Sequence, residues 1–131
     1  MPRILILDDD EDLLSSQSLY LESKGYQVDT AQTMEEALTT IRERKPDLVL
    51  ADLMMEHYDT GFVFCKRARE QEGMKSVPIL MQTAAARELG FTFDASTPKQ
   101  KEWMKVDEVL IKPVPLEDLT GKIEQHLKKR R

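Results

Sequence analysis

A single cysteine, Cys65, stands in the 131 residues, so no internal disulfide can form and the chain fits a reducing compartment. It lies in an apolar helical stretch with Phe62, Val63 and Phe64, which reads as core packing rather than nucleophilic chemistry. No apolar run approaches the ~18 residues that span a membrane. The four apolar residues after Met1-Pro2-Arg3 are too few for a signal-peptide core, so a cytoplasmic protein is expected. Positive charge is in deficit: 19 Lys and Arg stand against 24 Asp and Glu, a formal charge of −5, which argues against nucleic acid as the main partner. The basic end, Lys128 to Arg131, is the exception; it reads as charge complementing a helix C-terminus, with a junction to another domain or a polyanion contact as the other readings. The two histidines, His57 and His126, are too isolated for a transition-metal site. Repeats, low-complexity tracts and linkers are absent, and one domain over 1–131 with no effector domain is expected.

What is present is an alternation of short apolar runs and amphipathic stretches. Ile4 to Leu7 and Leu48 to Asp52 read as strands buried on both faces, the mark of a parallel sheet. Tyr26 to Thr30 reads as a strand nearer an edge, Val77 to Gln82 as a fourth and Val109 to Ile111 as a fifth. Between them the pattern predicts helices over about 12–24, with Leu13, Leu14, Leu21 and the Leu19-Tyr20 pair on the apolar side, and from Thr33 to about Arg44, opened by the capping box Thr33-Met34-Glu35-Glu36. A third helix follows from about Gly61 to Gln71, burying Phe62, Cys65 and Ala68 or their neighbours. The last is led in by Lys112-Pro113-Val114-Pro115. The stretch Arg87 to Val106 has no clear period. Five β-α repeats give an α/β fold, a doubly wound parallel sheet with helices on both faces.

All strands of such a sheet end on one side, where ligands bind. The first delivers Asp8 and Asp9, the third Asp52, the fourth Thr83 and the fifth Lys112. Three close carboxylates repel and need a cation; short acids offering only oxygen suit Mg²⁺. A carboxylate is a competent nucleophile toward phosphorus, and phosphoryl transfer mainly needs positioning and charge neutralisation. The Lys112 ammonium and the Thr83 hydroxyl can serve the phosphoryl oxygens. Asp10, Glu11 and Asp12 read as solvated acids at a helix N-terminus, favoured by its dipole, and Asp47 as a turn acid.

At these residues the chain resembles the receiver domain of two-component response regulators. The likeness lies in Leu7-Asp8-Asp9-Asp10, in Asp52-Leu53-Met54-Met55, in Thr83-Ala84 and in Lys112-Pro113, and it covers essentially the whole chain. It implies a flavodoxin-like (βα)5 fold with a five-stranded sheet of order 2-1-3-4-5. It implies a signalling phosphoacceptor rather than an enzyme, in which Asp52 accepts a phosphoryl group from the phosphohistidine of a sensor histidine kinase or phosphotransfer protein. Asp8, Asp9 and Asp52 would hold Mg²⁺ with the Met54 main-chain carbonyl, and Thr83 and Lys112 would bind the phosphoryl oxygens. A downstream effector protein, or a second copy in a homodimer, would read the face made by the fourth helix, fifth strand and fifth helix. Direct contact with nucleic acid or membrane is not expected.

The chain departs from the family pattern in four places. Val109 stands where an aromatic residue is usual, which puts coupling by an inward-swinging ring in question but not phosphorylation. Glu56-His57 replaces the usual Pro-Gly, and the segment between Thr83 and Lys112 is longer than usual. Met54 and Ala85 offer no group to orient an attacking water, so slow self-dephosphorylation is expected. Two other readings stand beside the phosphoacceptor: a pseudo-receiver that binds protein without phosphate, and a haloacid-dehalogenase-like phosphatase using Asp8, which leaves Asp52 unexplained.

Overall fold

Apolar runs of four or five residues, each cut off by a breaker or an acid, become the strands of one sheet. The computed structural model describes residues 1–52, 60–83 and 106–130, apart from the side chains of residues 60–62, 83 and 130. Within them lie β1 (Arg3–Leu7), α1 (Glu11–Ser23), β2 (Gln27–Ala31), α2 (Met34–Glu43), β3 (Leu48–Asp52), α3 (Thr60–Glu70), β4 (Ile79–Thr83), β5 (Glu108–Ile111) and α4 (Leu116–Arg130). The sheet is parallel throughout, in the order β2-β1-β3-β4-β5. That is the order the family resemblance implies, and β2 is an edge strand as its weaker pattern suggested. The Arg87–Val106 stretch, apart from Val106, and the loop from Glu56 to Asp59 lie outside the described residues.

Side chains alternate across each strand and so divide the core into two layers. Leu5, Leu7, Val49, Ala51, Ile79 and Met81 face α2 and α3, where they meet Ala37, Leu38, Ile41, Phe64, Cys65 and Ala68. Ile4, Ile6, Leu48, Leu50, Leu80 and Leu110 face Leu14 and Leu21 of α1 and Leu119 and Ile123 of α4. β3 is buried at all five positions. Phe64 fills the place that the helical pattern left open among neighbours; the Phe62 side chain is outside the described set.

The helix ends follow local chemistry. Asp10 is the N-cap of α1, its carboxylate accepting from the Asp12 and Leu13 amides, an arrangement worth about 1 kcal/mol. Gly25, at φ 96°, takes the left-handed turn that ends α1 after Lys24. Thr33 caps α2 through the Glu36 amide at 3.2 Å, while the Glu36 carboxylate accepts from Gln32 rather than from Thr33, a capping box displaced by one residue.

One expectation fails. Leu19 was placed on the apolar side of α1, yet it is 70% exposed. The buried stripe is Leu14, Gln17 and Leu21. A helix can face the sheet with only one stripe, and residues three and four apart share it. Leu19 falls about 160° from Leu21, counting 100° per residue.

The starts of the strands are held by acids. Asp47 Oδ2 accepts from the Arg3 amide at 2.7 Å, and the Asp47 amide donates to the Arg3 carbonyl at 2.7 Å, which clamps the first turn of β3 to β1. Asp107 Oδ2 accepts from the Ile79 amide at 2.8 Å and from Arg69 Nη2 at 2.9 Å. The same guanidinium donates to the carbonyls of Met74, at 2.9 Å, and Val77. Arg69 thereby ties α3 to the entries of both β4 and β5.

Candidate functional site

Hydrogen bonding within a parallel ladder fixes where each strand ends, and that brings the polar groups together. Leu7 pairs with Ala51 across β1 and β3, so the residues that follow, Asp8 and Asp52, emerge side by side. Asp52 pairs with Gln82, and Thr83 with Ile111, the residue before Lys112. The consequence is a cluster. One carboxylate oxygen from each of Asp8, Asp9 and Asp52 lies within 4.8 Å of the others. Asp8 and Asp52 are buried, at 1% and 6% exposure, and Asp9 is exposed.

Lys112 Nζ donates to Asp8 Oδ2 at 2.8 Å and to Asp52 Oδ2 at 3.3 Å. Burial alone would lower the ammonium pKa, but the hydrogen bond to Asp8 and the charges of Asp52 and Asp8 outweigh it, and the group titrates above its ordinary value. Asp8 Oδ1 is engaged as well, accepting from the Asp10 amide at 3.0 Å. The first acid of the cluster is therefore chained to the cap of α1.

One ammonium cannot balance three carboxylates. Two unit charges at this spacing repel by about 3 kcal/mol at an effective dielectric near 20. The donors are all oxygen, two from sheltered carboxylates and one from an open one. Such a set fits a hard divalent cation that keeps part of its water, as Mg²⁺ does. Nothing in the cluster is a soft donor that would favour zinc or copper.

Of the residues singled out in the sequence, Asp8, Asp9, Asp52 and Lys112 converge. Thr83 is the last residue of β4, on the same edge; its hydroxyl is outside the described residues, as are Met54 and Ala85. Val109 is half-buried against the α2–α3 layer. Cys65 is fully buried beside Met81, and burial pushes its thiol up to about 12, so it is packing and not a nucleophile. Asp10 caps α1, as a helix-opening acid should.

The sequence reading missed a buried amide pair, Gln17 on α1 and Gln82 on β4. The signal was available: Gln82 interrupts an apolar strand directly before Thr83, and Gln17 sits three residues from Leu14 and four from Leu21.

A family model described as the response regulator receiver domain matches residues 4–124. The chain belongs to the response regulator receiver family. Solved receiver domains share its backbone. A CheY-like response regulator receiver domain protein from Methanospirillum hungatei superposes with a TM-score of 0.82 at 26% identity, covering 99% of this chain and 96% of that one. The chemotaxis protein CheY4 of Vibrio cholerae gives 0.81 at 28% identity, covering 95% and 98%. Among curated relatives, the DNA-binding dual master transcriptional regulator RpaA of Synechocystis is 32% identical over 98% of this receiver and 50% of its own length. The alkaline phosphatase synthesis transcriptional regulatory protein PhoP of Bacillus subtilis is 42% identical over 66% of this receiver and 35% of its own length. The receiver thus spans about half, or less, of these curated relatives. No helix among the described residues is long and apolar enough to cross a membrane.

Proposed function

We propose that this receiver is a phosphoacceptor in which Asp52 takes a phosphoryl group from the phosphohistidine of a sensor histidine kinase or phosphotransfer protein. The observation behind this reading is the gathering of Asp8, Asp9 and Asp52 within 4.8 Å, bridged by Lys112. Asp8, Asp9 and Asp52 are the residues that would hold Mg²⁺, with the Met54 carbonyl as a further ligand by family likeness. When bound, Mg²⁺ supplies neutralisation of the phosphoryl oxygens and of the carboxylates around them.

The chain's own groups do the rest. An Asp52 carboxylate oxygen forms the O–P bond while the P–N bond to the donor imidazole breaks. The electron pair leaves on the ring nitrogen, and a proton already carried on the other ring nitrogen of the phosphohistidine lets the imidazole depart neutral. Burial on β3 holds Asp52 in one place for in-line attack, which is where most of the rate comes from in phosphoryl transfer. Lys112, already hydrogen-bonded to Asp52, needs only a short shift to donate to a phosphoryl oxygen. Thr83, at the end of the adjacent strand, would donate to another. The chain assists its own phosphorylation and dephosphorylation and turns over no other substrate.

Phosphorylation would bias a two-state equilibrium read by a downstream effector protein, or by a second copy in a homodimer, on the face that includes β5 and the C-terminal helix. Val109 is aliphatic and half-buried, so that bias runs without a swinging ring. A cytoplasmic protein acting through protein contacts, and not through nucleic acid or membrane, fits the charge of −5.

The test is incubation with Mg²⁺ and acetyl phosphate. The expected result is an acid-stable, base-labile gain of one phosphoryl group, absent in Asp52→Asn. Donor turnover that survives Asp52→Asn but not Asp8→Asn would favour a phosphatase. Neither label nor turnover would favour a protein-binding module independent of phosphate.

A further inference from the structure

The layer between the sheet and helices α1 and α4 holds His126 against Glu108 at the start of β5 and, at its carboxyl end, Gln17 and Gln82 against each other. Both glutamines are buried, at 4% and 2% exposure. Gln17 Nε2 donates to Gln82 Oε1 at 2.8 Å, and Gln82 Nε2 donates to Gln17 Oε1 at 3.1 Å. Reversing both amides returns the same two bonds, so the pairing does not depend on which way each amide is turned.

Two apolar side chains would fill this space at least as well, because a fully paired buried amide gains little over an apolar pair of similar shape. What the amides add is direction. Two antiparallel hydrogen bonds fix separation and rotation together, whereas apolar side chains slide.

The two residues stand at useful places. Gln17 is seven residues from Asp10 on the same helix, about 10 Å along its axis, and Asp10 holds Asp8 Oδ1 through its amide. Gln82 is the ladder partner of Asp52 and directly precedes Thr83. Leu14 packs on the sheet here, but packing does not fill the rest of this end of α1. An open cavity of about 700 Å³ lies there, bordered by Asp10, Leu13, Gln17, Gln82, Lys112 and Val114.

We propose that the Gln17–Gln82 amide pair is a positioning strut, which spans from α1 to β4 and sets the distance between the Asp8–Asp10 side of the site and the Asp52–Thr83 side. The inference rests on Asp52 being the phosphoacceptor for its kinetic readout, and has a second readout that does not.

Gln17→Met, Gln82→Met and the double variant test it, methionine being close in shape to glutamine and apolar. Each single variant leaves one amide without its partner and lowers Tm by roughly 5 °C, while the double variant returns toward wild type. Phosphoryl uptake from acetyl phosphate with Mg²⁺ is then measured well below the lowest Tm, with all variants folded. A strut predicts that the double variant stays slow, its maximal rate about tenfold or more below wild type, because sub-ångström misplacement is costly in such transfers. Its half-saturating donor concentration stays close to wild type. Recovery of the maximal rate along with Tm would overturn the strut and make the pair mere packing.

Asp52→Asn runs alongside. If the wild type takes no label, the phosphoacceptor reading falls, and amide exchange decides the strut by itself. Exchange at Asp10, Asp12, Leu13 and Leu14 should then be faster in the double variant than in wild type despite the restored Tm; equal exchange would sink the idea.

Discussion

The two edges of the sheet use the same kind of residue in opposite ways. At the amino edge Asp47 and Asp107 each accept from a backbone amide at a strand start, and Asp107 also takes a guanidinium. Asp29 on β2 pairs with Arg3 and Arg44, at 2.8 and 3.3 Å. Each acid there has a cation or an amide of its own, and the sequence distance to it is often large. At the carboxyl edge Asp8, Asp9 and Asp52 crowd one another and share Lys112. The first arrangement stabilises the fold. The second concentrates negative charge that costs stability, the arrangement that the proposed cation and phosphoryl site would need. Strand β5 spans both regimes. Glu108 opens it, held by Lys122 at 2.7 Å and His126 at 2.8 Å, and Lys112 follows its last residue.

Substitutions can break this contrast, and the largest effect is expected at the carboxyl edge. Asp52→Asn should reduce phosphoryl uptake by at least about 100-fold, since it removes the proposed nucleophile, and leave Tm unchanged or raised because one of three repelling charges is gone. Mass spectrometry and thermal unfolding read the two halves; a large loss of Tm would count against the contrast. At the amino edge the outcome should reverse. Asp107→Ala leaves the Ile79 amide and the Arg69 guanidinium without their carboxylate, so unfolding free energy should fall by about 2 kcal/mol while uptake stays near wild type. Asp47→Ala should follow with about 1 kcal/mol by urea titration.

The smallest effect concerns pH. Burial alone would raise Glu108, but hydrogen bonds from His126 and Lys122, with the charge on both, hold it below the ordinary glutamate range. A depressed carboxylate contributes stability above its unfolded pKa and loses it as pH falls through the folded value. Glu108→Gln should therefore flatten part of the stability loss below about pH 4.5 and lower stability slightly at neutral pH, by under about 1 kcal/mol. Lys112 has the opposite sign: its raised pKa contributes below the ordinary lysine range and is lost as pH rises past it. Stability curves of Glu108→Gln and Lys112→Met should therefore converge on wild type at opposite ends of the pH scale, the first at low pH and the second at high pH.

Why the carboxyl edge was legible in the sequence and the amino edge was not follows from the same contrast. An acid that ends an apolar run, as Asp8 and Asp52 do, has no packing reason to be there, and strand direction alone puts such acids together. Asp47 and Asp107 precede strands, where an acid looks like ordinary turn chemistry; the partners Arg3 and Arg69 are 44 and 38 residues away, and nothing local announces them. The phase of α1 was obscured for a related reason. Five large apolar residues, Leu13, Leu14, Leu19, Tyr20 and Leu21, are compatible with more than one stripe, and the buried one passes through a glutamine that composition alone would send to solvent. The partner that makes Gln17 tolerable inside is 65 residues further on.

β3 runs through the middle of the sheet with all five positions buried and a hydrogen-bonded strand on either side. In mechanical terms Asp52 is mounted on the fulcrum rather than on the beam. A group added there cannot travel, because moving it would shear two ladders and both apolar layers at once. Whatever yields to that group must be hung around the axle: the lysine that reaches in from the end of β5, the acids chained to the first turn of α1, and the helices whose grip on the sheet ends beside them.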